Sequence, residues 1–106
     1  MPKAPESGFV KAKKTPTRAT KNCPPGSEFV FVNPGVGTVG KAKNLQEFAE
    51  LIKSAPLQSV LYHANGGHFT PWLEMMGEKT LASNIGAIRG NGEQVRRAIL
   101  KAIETY

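Results

Sequence analysis

The chain has 106 residues, a formal charge of +6 and a single cysteine, and all eight of its acidic side chains are glutamate. That length suits one modest core and excludes a two-lobed cofactor enzyme. No apolar run nears the roughly 20 residues that cross a bilayer, Lys and Pro stand where a signal peptide would be apolar, and Cys23 alone excludes an intrachain disulfide or a thiolate zinc cluster. A soluble cytoplasmic protein is expected, with association with nucleoid or ribosome left open.

The charge is unevenly placed. Residues 1–27 hold Lys3, Lys11, Lys13, Lys14, Arg18 and Lys21 against Glu6, whereas residues 28–106 are nearly neutral. The first segment is rich in Pro, Lys, Thr and Ala, and only Phe9 and Val10 could serve a core. It reads as a disordered basic tail, followed from residue 28 by a single domain. Cations separated by small residues suit contact with many phosphates without reading bases. Interleaved aromatics that would stack on bases are missing, Phe9 apart.

In chain order, "EFVFV" at Glu28 to Val32 has the aromatic and β-branched content of a short strand, and "NPG" at Asn33 to Gly35 is a turn signal. "VGTVGKA" returns as a second strand, making a hairpin whose glycines serve the turn or a bulge. "GVGTVGK" also fits two nucleotide fingerprints, G-x-G-x-x-G and G-x-x-x-x-G-K. Neither has its chemistry. A P-loop needs Ser or Thr after its lysine, and Ala42 stands there; a dinucleotide loop needs its helix to start inside the glycine motif, and the first helix start is Asn44. The glycines are therefore assigned to a hairpin, with Lys41 and Lys43 as part of a basic surface that extends the tail's footprint.

Asn44 with Glu47 three residues on forms a capping box, and Leu45, Phe48, Ala49 and Ile52 share a face before Pro56 stops the helix. "LQSVLYHANGG" fits either a strand or one or two helical turns. Thr70-Pro71 reads as an N-cap and first helical residue, with the helix ending at Gly77. A further short helix spans about Glu78 to Ile88. The last helix, capped by Asn91, carries a continuous stripe of Val95, Ala98, Ile99, Ala102, Ile103 and Tyr106. The expected fold is α+β and mostly helical: an N-terminal β-hairpin, then three to five short helices around Phe48, Leu51, Ile52, Trp72, Leu81, Ile85, Val95, Ile99 and Ile103.

"YHANGGHFTPW" holds both histidines. Two imidazoles without a Cys or Asp beside them do not hold zinc tightly, and with no aspartate in the chain nothing orients a histidine as the base for Ser59 or Thr70. No metal, cofactor or catalytic residue is assigned. The structural reading packs Tyr62, Phe69 and Trp72 in the core, with His63 or His68 bonded to a backbone group. The functional alternative makes His63 and His68 a surface for a protein partner.

The strand "FVF", the glycine turn, "NLQEFAELI", "YH" and "HFTPW" together resemble a small uncharacterised, mainly archaeal domain family over about residues 29–106. His68 stands where that family tends to have an acidic residue. The resemblance implies a compact helical domain behind a small β element and an archaeal source, with no activity attached. The reading as a whole is a non-enzymatic protein whose tail meets DNA or RNA phosphates, alone or within a ribonucleoprotein; its rival is a protein-interaction module with no nucleic-acid role.

Overall fold

A computed structural model describes residues 21–106. Residues 1–20 of the expected disordered tail, with Lys3, Lys11, Lys13, Lys14 and Arg18, lie outside the described residues. A two-stranded antiparallel hairpin, β1 (Phe29–Asn33) and β2 (Gly37–Ala42), precedes five helices: α1 (Leu45–Ser54), α2 (Leu57–Gly66), α3 (Phe69–Met75), α4 (Lys79–Gly86) and α5 (Glu93–Glu104). This is the α+β, mostly helical fold expected. The glycine stretch is the hairpin's turn and second strand. Val36 N–H donates to the Asn33 carbonyl at 2.9 Å; Pro34 and Gly35 lie between them, and Gly35, at φ +79°, takes the left-handed position that a type II turn requires there.

β1 alternates cleanly. Phe29 and Phe31 face inward and pair with Ala42 and Gly40, while Val30 pairs with Lys41 on the outer face. After Phe31 the register shifts: Val32 pairs with Thr38, which leaves Val39 as the extra residue of a β-bulge on β2. The hairpin thus has a core-anchored half and an outer half beyond the bulge.

α1 packs on β2, α2 runs along β1, α3 pairs with α4, and α5 closes across α1, α2 and α4. At the centre is an aromatic cluster. Phe29 lies with ring centroids 5.0 Å from Phe31, 6.0 Å from Phe48 and 5.1 Å from Phe69, and Phe48 stacks on Trp72 at 5.5 Å. The residues expected in the core are buried, except that Leu51 is only partly so and Tyr62 is exposed. Phe29 and Phe31 join them as its middle.

Several boundaries differ from expectation, each for a local reason. α2 is a full ten-residue helix, because Ser59, Val60, His63 and Ala64 at helical spacing find β1 to cover them. α3 begins at Phe69 rather than after Thr70, so Pro71 occupies the third helical position, where its missing N–H is still no loss. α5 is preceded by Gly92 in the N-cap position rather than Asn91, with no side-chain cap bond. The Asn44 cap is as expected: its Oδ1 accepts from Glu47 N–H at 2.8 Å.

The packed unit also starts earlier than residue 28. Cys23 is buried and its N–H donates to the Lys43 carbonyl at 2.7 Å. Asn44 Nδ2 donates to Asn22 Oδ1 at 2.9 Å, and Trp72 Nε1 donates to the Ser27 carbonyl at 2.8 Å. The indole needed a partner when buried, and the incoming segment supplies it.

Phe31→Ala should lower the unfolding free energy by about 3–5 kcal/mol in a denaturant titration. Val36→Ala, at the 81% exposed turn, should stay within about 0.5 kcal/mol.

Candidate functional site

Both histidines lie where α2 meets β1 and α3. His63 is only 4% exposed and Ser59, one turn earlier on the same face, is fully buried. The outer edge of β1 passes directly over them. Val32 N–H donates to His63 Nε2 at 2.9 Å, and Ser59 Oγ donates to the Val32 carbonyl at 2.9 Å. Two side chains at i and i+4 thus satisfy both backbone groups of one strand residue. The second imidazole follows, with His63 Nδ1 and His68 Nδ1 3.0 Å apart.

The hydrogen bonds fix the tautomers. Because His63 Nε2 accepts from a backbone amide it carries no proton, so the neutral ring keeps its proton on Nδ1 and donates it to His68 Nδ1. His68 then holds its own proton on Nε2. Burial, and secondarily the neighbouring His68, depress the His63 pKa from 6.5 to about 4. Gly66 leaves room for this ring: a Cβ there would fall 2.5 Å from His68 Nε2, and the imidazole would have to shift.

This arrangement removes the chemistry the pair might have offered. A metal at His63 Nδ1 would have to displace the proton while Nε2 still accepted from Val32, which demands an imidazolate. No group of three or more His, Cys, Asp or Glu side chains could hold a metal ion among the described residues. Ser59 commits its hydroxyl proton to a carbonyl and is inaccessible, and for Cys23 burial followed by the Glu28 carboxylate raises the thiol pKa. As a contact surface, His63 is corrected: it is buried, and its bond to a backbone group is the structural role. His68 is half-buried. Tyr62, expected in the core, is 46% exposed and packs on both imidazoles.

The expected phosphate-binding residues that the structure describes lie near one another in the chain path. Lys21, Lys41 and Lys43 are exposed. Lys43 also pairs with Glu47 at 3.5 Å, both side chains well hydrated. The Cys23 and Asn22 bonds to Lys43 and Asn44 bring the entering chain against the end of β2, with Lys21 one residue before this join, Lys43 within it and Lys41 two positions earlier on the outer face.

Arg89 and Arg96 have other work. Arg89 Nη1 donates to the carbonyls of Ala64 and Asn65 at 2.6 and 2.8 Å, closing the C-terminus of α2. Asn65 completes that join by exchanging two bonds with Gly90. Arg96 Nη1 donates to Ile52, Lys53 and Ala55 at the end of α1, while its Nε donates to Glu93 at 2.8 Å and holds that carboxyl below its usual pKa. Cations on the last carbonyls of a helix complement its dipole.

Comparison with protein-family models, curated proteins and solved structures finds no match to this chain. The resemblance of residues 29–106 to an archaeal domain family therefore rests on its short motifs alone.

His63→Leu should cost about 1–3 kcal/mol in chemical unfolding, because Val32 N–H is left buried without an acceptor. His63→Gln, whose Oε1 reaches the Nε2 position, should recover most of that. Arg96→Met should cost a similar amount and leave any nucleic-acid affinity nearly unchanged.

Proposed function

We propose that this is a non-enzymatic nucleic-acid-associated protein, in which the basic N-terminal segment contacts DNA or RNA phosphates without sequence specificity and the folded domain acts as its platform. The observation that carries this reading is the junction at Lys43. The segment that carries Lys21 joins the domain at Lys43 and Asn44, at the end of the strand that also presents Lys41, which supports one footprint running from the tail onto the hairpin. Arg89 and Arg96 are engaged by helix ends, whereas Lys53, Lys79, Arg97 and Lys101 are exposed elsewhere on the body. No helix among the described residues is long and apolar enough to cross a membrane.

The hairpin gives the rival reading its observation: Val30, Val36 and Val39 are all exposed on it. A protein partner would meet the domain there rather than at His63.

A salt titration against duplex DNA, single strands and structured RNA tests the proposal. Six tail cations predict a slope of log K on log salt of about −5, and Lys41 with Lys43 extend it to about −7. Lys41→Gln with Lys43→Gln should therefore shrink the slope by about 2. Absence of binding, or binding indifferent to salt, overturns the nucleic-acid reading and leaves the hairpin face. An unchanged slope in the double variant confines the contact to the tail.

A further inference from the structure

We infer that the paired histidines form an acid-released latch that holds the outer half of the hairpin, residues 32–39, against α2. Beyond the bulge the hairpin has little else to grip. Residues 34–39 are exposed, and Asn33 Oδ1 is buried without a hydrogen-bond partner. Ser59 and His63 on Val32 supply the polar hold on this half.

Counting protons shows why the latch responds to acid. The chain of donors runs from Val32 N–H to His63 Nε2, then from His63 Nδ1–H to His68 Nδ1, and two ring protons fill it. A third proton has two places to go. On His63 Nε2 it opposes the Val32 amide; on His68 Nδ1 it puts two protons in a gap of 3.0 Å. Either way one of the two hydrogen bonds is lost.

The surroundings favour the neutral pair. Phe29 and Phe31 from β1 and Phe69 from α3 pack on the His63 ring at centroid distances of 5.0, 5.7 and 5.7 Å. Tyr62 touches both imidazoles. At the same helix end a cation, Arg89 from ahead of α5, bonds the Ala64 and Asn65 carbonyls. No carboxylate hydrogen-bonds either ring among the described residues to favour an imidazolium. The latched ring titrates at about 4 and a released ring near 6.5, so between those values the released state takes up a proton that the latched state refuses. Stability of the latch is full above the upper value and declines as pH falls.

Amide exchange of the full-length chain, measured by NMR and corrected for intrinsic rates from pH 7.5 to 5, tests this. Val32 protection should fall about tenfold per pH unit below about pH 6.5, while Ile99 and Ile103 in α5 keep theirs. His63→Gln, which retains an acceptor and does not titrate, should flatten the Val32 profile. A flat wild-type profile, a parallel fall at Val32 and Ile99, or an unchanged profile in H63Q would each overturn the latch. Should H63Q not fold, ring-nitrogen shifts of the wild-type histidines decide: titration in the pH range of Val32 release supports the inference, and titration in a different range ends it.

Discussion

A strand edge inside a helical protein is a demand for hydrogen bonds. Two strands make a sheet with two open edges, and β1 lies with one of them against α2, away from water. At Val32 both backbone groups point at that helix. A purely apolar α2 would leave them unsatisfied at a cost of several kcal/mol. The position of Ser59 and His63, one helical turn apart, follows from this requirement, and so does much else: the tautomer of His63, the placement of His68 as its acceptor, and the glycine at 66 that gives the second ring its room.

The same economy governs the arginines. Helices as short as these end in orphan carbonyls close to their neighbours. Two of the three arginines in the body close such ends, each bridging elements far apart in sequence, and they turn the last third of the chain into a brace across α1 and α2. Charge in this protein thus divides by task. Arg89 and Arg96 serve the backbone, while the lysines at the edge where the chain enters remain hydrated, as do Lys53, Lys79, Arg97 and Lys101.

Local signals in the sequence were legible where a single element carries its own instruction. The Asn44 and Glu47 cap, the Pro34-Gly35 turn, the Pro56 stop and the apolar stripe of α5 each depend on neighbours a few residues away, and each lies where those residues place it. The failures have a common form. α2 is ambiguous as a sequence because its apolar period is completed by β1, which lies some thirty residues earlier. Phe29 and Phe31 gave a strand by propensity, yet their place at the centre of the core depends on Phe69 and Trp72 arriving from the far side. Metal binding and catalysis could be set aside for the histidines because the chain has no aspartate and no second cysteine, but the choice between a backbone partner and a contact surface required the fold. A spacing of four between Ser59 and His63 is meaningful only once the segment is known to be helical.

The clasps have a consequence for the order in which the chain is made and folds. Cys23 reaches Lys43 over a short span, but Val32 waits for His63, Ile52 for Arg96 and Ser27 for Trp72, separations of 31, 44 and 45 residues. The hairpin and α1 are local and close early. Loop-closure entropy delays the rest. During synthesis β1 is complete while the helix that satisfies its edge is still unmade, so its backbone stays hydrated and its phenylalanines stay uncovered until residue 72 has emerged. The entry strand is the first element of the fold to be written and among the last to be finished.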